Sequence, residues 1–103
     1  MKLAVLPIPP WDQALTACLI MKNAGDTIQY CKKAFEATEP VRIETPRGTV
    51  AHAELRIGTS AVMLAEEFQD MDAKGPYSTD SSPVGLHLYV KDVDATAQNS
   101  IQA

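Results

Sequence analysis

The sequence predicts an α+β domain in which a strand, a helix and three further strands follow one another. Three observations predict this order. Residues 50–57 alternate between apolar and polar side chains, as a half-buried strand does. Residues 24–37 carry apolar side chains at helical spacing. Gly58 and Thr59 separate two strand-like runs, which is typical of a tight hairpin turn.

Composition limits the possible classes of protein. The chain has 103 residues, of which 46% are hydrophobic, so it is expected to form one small globular domain. Its net charge is −4 and it has no basic run, which argues against a nucleic-acid partner. The longest apolar run is far shorter than the roughly 20 residues of a membrane-spanning helix, so no membrane association is predicted.

The first eleven residues, MKLAVLPIPPW, are interpreted as part of a cytoplasmic chain. Their apolar stretch is short and is followed at once by prolines, unlike a secretory signal. Cys18 and Cys31 are then expected to be reduced thiols that pack as small hydrophobic residues.

The first strand and the helix come from the residues before Pro40. The apolar run 15–22 is a predicted strand, and Asn23 is positioned to cap the helix that follows. The helix is expected over 24–37, with one apolar stripe and Pro40 beyond its end. The stripe consists of Ala24, Ile28, Cys31 and Phe35.

Three strands complete the first unit. They are predicted at 41–45, 49–57 and 61–66, with a turn at 46–48 and the hairpin turn at Gly58 and Thr59. Residues 14–66 thus form a complete βαβββ module.

The second part of the chain begins to repeat the first. Residues 67–83 are a polar linker loop, 84–91 are a predicted strand, and Asp92 is positioned to cap a second helix. The segment LYVKDVDATA at 88–97 has the same pattern as LIMKNAGDTI at 19–28. Residues 84–103 are therefore interpreted as the first strand and partial helix of a second module, in which the sequence stops.

The strand at 49–57 has two faces of different chemistry. Its apolar face is expected to pack against the helix stripe and consists of Ala51, Ala53, Leu55 and Ile57. Its other face carries His52, Glu54 and Arg56. From the alternation alone, this polar face could be turned either to water or to a ligand.

At this point the chain resembles the PhnB-like branch of the glyoxalase/bleomycin-resistance (vicinal oxygen chelate) superfamily. The resemblance covers nearly the whole chain and rests on HAELRIG-x-S-x-x-MLA-[DE]-E followed by LHLYV-x-DVDA. It implies a βαβββ module that pairs with a second one to form a cup, with helices outside and a small polar ligand on the concave sheet face. The polar side chains at 52, 54 and 56 would then point into the cup.

The resemblance also implies where a metal would bind. The positions of the superfamily's usual ligands that this chain includes are Thr16, Met63 and Gly85, none of which is a metal ligand in this form. A different set, His52, Glu54 and His87, could form a site for a divalent metal if their strands converge. Cofactor use stays open.

Three functions are compatible with these residues. An enzyme with lyase, isomerase or dioxygenase chemistry would use His52 or Glu54 as general base, with Arg56 or Arg42 steadying an anionic substrate. A sequestration module would bind a drug or metabolite in the same cup without chemistry. A truncated remnant would have no intact site. The expected ligand-binding residues are Thr16, Arg42, Arg56, Met63, His87 and Tyr89.

A cup needs two modules, which predicts a homodimer. The linker 67–83 is long enough for residues 84–103 to reach the partner, so the dimer is expected to exchange this segment. His87 would then lie near the partner's His52 or Glu54.

Overall fold

The computed structural model describes residues 13–68 and 74–103, which contain four strands and three helices. The strands are β1 (Cys18–Met21), β2 (Thr38–Glu44), β3 (Val50–Ile57) and β4 (Ser60–Glu66). The helices are α1 (Ala24–Phe35), α2 (Pro76–Thr79) and α3 (Val93–Gln102).

The four strands form one mixed sheet in the order β1-β4-β3-β2. β1 runs parallel to β4, and the other two pairs are antiparallel. A parallel pair requires a crossover, which α1 and the two following strands supply. The predicted strand–helix–three-strand order is confirmed.

The core lies between α1 and one face of the sheet. Its largest fully buried side chains are Ile28 from α1, Leu55 from β3 and Leu64 from β4. Full burial of each such side chain contributes about 1.5–3 kcal/mol. Ala24 and Ile28 of the predicted stripe are buried and Cys31 packs against the same cluster, which confirms this side of α1 as its inward side.

α1 begins at the predicted place, although a different side chain satisfies its first amides. Asn23 adopts a left-handed conformation with φ 55°, and its side chain makes no capping hydrogen bond. The Glu66 carboxylate accepts instead from the amides of Asn23 and Ala24, at 2.7 and 2.9 Å. The end of β4 therefore caps the start of α1.

The helix end and β2 differ from the prediction by a few residues. α1 stops at Phe35 because Glu36 takes a left-handed conformation with φ 56° and donates its amide to the Cys31 carbonyl. β2 begins at Thr38 and includes Pro40. Its register against β3 shifts between Thr38 and Val41, and an edge strand tolerates a proline at such an irregularity.

The predicted strand at 84–91 is not formed. Among the described residues, none of this segment is paired with another strand. The alternating pattern is typical of a strand, but a strand also needs a neighbour to bond its backbone, and no strand of the described part of the chain pairs with it. We call residues 84–91 the arm.

The helix predicted after Asp92 forms as α3. The Asp92 side chain accepts from the amide of Ala95 at 3.0 Å, which caps α3. α3 packs beside α1, where the Tyr30 hydroxyl donates to the Ser100 carbonyl at 3.0 Å. In the described part of the chain, no helix combines the length and apolar character needed to span a bilayer.

The predicted linker loop 67–83 contains the short helix α2 and is anchored on the sheet through Gly75 and Ser78. The Glu67 carboxylate accepts from the amide of Gly75 at 2.7 Å and from the Ser78 hydroxyl at 2.8 Å. Gly75 lies so close to β1 that a Cβ there would be 2.2 Å from the carbonyl oxygen of Ile20. At Gly75 the linker therefore packs against β1 so closely that a side chain at this position would not fit.

Candidate functional site

The candidate site is the face of the sheet opposite α1, which we call the inner face. Strand register defines it, because residues directly opposite each other in a sheet point to the same side. Glu54 pairs with Val41 on β2 and with Met63 on β4, and Met63 pairs with Cys18 on β1. The inner face consists of Cys18, Ile20, Val41, Ile43, His52, Glu54, Arg56, Ala61, Met63 and Ala65.

The predicted facing of β3 is confirmed. Ala53 and Leu55 are both 0% exposed and belong to the core beneath α1. The polar residues of the same strand therefore turn to the other side of the sheet. His52 and Arg56 are half-buried there.

Glu54 is the unusual residue of the inner face. It is only 5% exposed, although it was expected to look into an open cup. Its Oε1 atom has no hydrogen-bond partner among the described residues, and Nη2 of Arg56 lies 3.6 Å from it. That distance makes an ion pair but is too long for a hydrogen bond. Glu54 thus offers a buried acceptor atom.

Arg42 lies on the opposite side of the sheet from Glu54. It pairs with Ala53 and donates to the carboxylate of Glu39, which also accepts from Lys32 of α1 at 2.9 Å. Burial raises the pKa of Glu39, but the hydrogen bonds from Arg42 and Lys32 outweigh it and hold that pKa below the usual value. The structure therefore places Arg42 in an ion pair beside α1 and away from the inner face.

The metal candidates do not come together. The described residues contain no group of three or more His, Cys, Asp or Glu side chains that could hold an ion. His87 lies at another place, in a groove of about 560 Å³ that Leu15 and Val62 also border. Its ring contacts that of Tyr89, with centroids 4.8 Å apart. His87 is thus separated from His52 and Glu54 within one chain.

The remaining predicted ligand-binding residues are divided between the sheet and the arm. Met63 is half-buried on the inner face, and Thr16 is half-buried just before β1. Tyr89 is 90% exposed on the arm. The sheet and the arm therefore carry separate parts of the predicted set.

The sequence interpretation missed two apolar side chains of the inner face. Val41 and Ile43 are 39% and 57% exposed and lie across from Glu54 and His52. Their signal was the alternation of VRIE at 41–44, in which Arg42 and Glu44 take the other side. Val41 and Met63 therefore flank Glu54 across the sheet, and Ile43 lies beside His52 on the same face.

Comparison with curated proteins finds relatives without an established function. The chain is 37% identical over 95 residues to the uncharacterised protein Mb0911c of Mycobacterium bovis, and equally to Rv0887c of Mycobacterium tuberculosis. Each match covers 89% of this chain, which spans 62% of the first relative and 56% of the second. No family model matches the chain.

Two solved structures have a similar fold. A gene product of Arabidopsis thaliana superimposes with a TM-score of 0.68 at 20% identity, covering 85% of this chain and 70% of the other. TioX from Micromonospora sp. ML1 superimposes with a TM-score of 0.56 at 22% identity, covering 85% and 68%. The chain has the α+β fold of the glyoxalase/bleomycin-resistance type, built on a βαβββ module.

Proposed function

We propose that this chain is a PhnB-like glyoxalase/bleomycin-resistance-type protein that binds a small molecule on the inner face of its sheet. The observation that carries this proposal is the buried Oε1 atom of Glu54, which lacks a hydrogen-bond partner among the described residues. Leaving such an atom unpaired costs about 1–3 kcal/mol, and a bound molecule that donates to it recovers that cost.

The surroundings of Glu54 support binding. Val41 and Ile43 expose apolar surface beside it, and Met63 flanks it on β4. Ligand sites in proteins typically combine such an apolar wall with a few fixed polar groups. An enzyme that uses Glu54 or His52 as general base would have the same site, so turnover of a bound compound would extend the proposal to catalysis.

The test is a screen of aromatic fragments by methyl NMR. We expect fragments that bind to shift the methyl signals of Ile43 and Met63, while the Ile28 methyls beneath α1 stay in place. Ile43→Asp should weaken these fragments by about tenfold, because it puts a charge on the apolar wall. Ile101→Asp is the matched control, since Ile101 is 80% exposed on α3. Binding that shifts only signals away from the inner face would refute the proposal.

We also propose that the chain acts as a homodimer that exchanges residues 84–103. The arm supports this, because Val84 and Leu86 are each 63% exposed, Leu88 is 42% exposed, and its backbone is unpaired among the described residues. β1 and β2 are the outer strands of the sheet, and an outer strand offers bonds to another chain. In such a dimer, each copy would cover the arm of the other.

A cytoplasmic location belongs to the same proposal. Its support is that Cys18 and Cys31 are both free thiols. Cys31 packs against the core as expected, whereas Cys18 is exposed on β1, so the prediction that it packs as a small hydrophobic residue was wrong. Burial raises the pKa of the Cys31 thiol, which makes that group less reactive.

A further inference from the structure

Residues 74–79, which we call the strap, cover the outer edge of β1. Gly75 of the strap is buried, and a Cβ on it would lie 2.2 Å from the carbonyl oxygen of Ile20 and 2.7 Å from the Cα atom of Met21. The strap then continues as the single helical turn α2. Because β1 is an outer strand of the sheet, the segment on its outer side determines whether another strand can pair with it.

The strap lies on the open side of β1 and not on the side of β4. The Ala17 carbonyl accepts from the amide of Met63 at 2.9 Å, so it points toward β4. The Met21 carbonyl also points that way, since it accepts from the amide of Glu67 at 3.1 Å. Successive carbonyls of a strand point to opposite sides, so the Ile20 carbonyl points away from β4. The strap contacts this carbonyl and therefore takes the position of a neighbouring strand.

The two outer strands of the sheet are protected in different ways. β2 has the sequence TEPVRIE, with three charged residues, a proline and an irregular register, and each of these features hinders pairing with another chain. β1 has the sequence CLIM, with neither a charge nor a proline. An exposed apolar edge of this kind is prone to pair with another chain. The strap thus supplies the protection that the residues of β1 lack.

Glu67 holds the strap in place. Its carboxylate oxygens accept from the Gly75 amide at 2.7 Å and from the Ser78 hydroxyl at 2.8 Å. Both hydrogen bonds are charge-assisted. The amide of Glu67 is itself bonded to the Met21 carbonyl, which fixes this residue at the end of β1. One residue therefore connects the strap to the strand that it covers.

We infer that the strap is a removable cover held by Glu67, and that the edge beneath it is an interaction surface for β1 of a second copy of this chain. Two identical edges can pair about a two-fold axis, which closes the assembly. Both copies would contribute an uncharged strand, so no like charges would meet across the pair. This surface is separate from the inner face and from the arm.

Hydrogen exchange tests whether Glu67 holds the cover. The Ile20 amide faces the same edge as the Ile20 carbonyl, whereas the Leu19 amide faces β4. In Glu67→Ala at low protein concentration, the Ile20 amide should exchange about tenfold faster than in the parent chain, and the Leu19 amide should be unchanged. Ser78→Ala removes one of the two hydrogen bonds without altering the sheet, so it should have a smaller effect of the same sign.

Crosslinking tests the surface under the strap. Cys18 is exposed at the start of β1, so a short bismaleimide should join two copies through Cys18 when their β1 strands pair. The yield of this covalent dimer should rise about tenfold in Glu67→Ala and be lost on addition of Cys18→Ser. Glu44→Ala is the matched control and should crosslink like the parent chain, since Glu44 is an exposed carboxylate on the opposite outer strand. Circular dichroism confirms that each variant is folded.

The two measurements can contradict the inference separately. Equal exchange of the Ile20 amide in Glu67→Ala and in the parent chain would refute the role of Glu67. Faster exchange without a Cys18-dependent covalent dimer would refute the interaction surface. Equal crosslinking in the parent chain and in Glu67→Ala would show that the strap does not control access to the edge. None of these results depends on ligand binding at the inner face.

Discussion

Glu54 places a carboxylate between two apolar neighbours, Val41 on β2 and Met63 on β4. Its burial was not predictable from the sequence. The alternation of β3 correctly assigned Glu54 to the face opposite the core, but its exposure depends on which side chains the neighbouring strands place beside it. The register of β2, β3 and β4 determines which side chains lie beside Glu54. The sequence of β3 alone does not predict that register.

We predict that Glu54→Met stabilises the fold. The free energy of unfolding should rise by about 1–3 kcal/mol, because the substitution removes a buried acceptor without a hydrogen-bond partner. Urea denaturation followed by circular dichroism measures the change. The exposed control Glu44→Met should stay within about 0.5 kcal/mol of the parent. A large loss of stability in Glu54→Met would mean that its carboxylate is well satisfied in the native protein.

At the scale of elements, the contact between Gly75 and β1 allows a sharp comparison of two glycines. Gly75→Ala should lower the free energy of unfolding by about 1–3 kcal/mol, because its Cβ would overlap the backbone at Ile20 and Met21. Gly85→Ala is the matched control, since nothing lies within 4 Å of a Cβ at that position. Thermal unfolding of both variants checks this. Equal melting temperatures would show that the linker is not seated on β1.

The Glu67 anchor should depend on pH. Hydrogen bonds from the Gly75 amide and the Ser78 hydroxyl lower the pKa of Glu67 below its usual value. Its contribution is therefore complete above the pKa of the unfolded chain and is lost as pH falls through the lower, folded pKa. We expect the Gly75 amide signal to titrate with that pKa in an NMR pH series. In Glu67→Gln this titration should disappear, and its persistence would contradict the anchor.

The elements show which kinds of sequence signal were sufficient. The α1 stripe, the alternation of β3, the Gly58–Thr59 turn and the Asp92 cap are local patterns, and each predicted its element correctly. The cap of α1 was missed, because its acceptor Glu66 lies far along the chain from Asn23. The prediction of a strand at the arm was wrong for the opposite reason. Its local pattern is that of a strand, but pairing also requires a neighbouring chain segment.

For the whole molecule, the proposed exchange predicts a dimer in solution. Light scattering at micromolar concentration should give twice the mass of the 103-residue chain. Leu86→Lys should shift the population to monomer, since it places a charge in the apolar row that the second copy would cover. Gln98→Lys, on the exposed surface of α3, is the control and should leave the mass unchanged. A monomer mass that is constant on tenfold dilution and concentration would refute the dimer.

The bond from Glu66 to the start of α1 has a consequence for how the module folds. The amides of Asn23 and Ala24 lie 43 and 42 positions before Glu66 in the chain. The first turn of α1 therefore gains its cap only after β4 is in place. Loop closure over that distance has an entropic cost that a helix capped by its own residues avoids. Helix and sheet should therefore form in one cooperative step. Because the cap is completed only after β4 is in place, Glu66→Ala should speed unfolding and leave the folding rate nearly unchanged in stopped-flow measurements, and a slower folding rate would contradict this order.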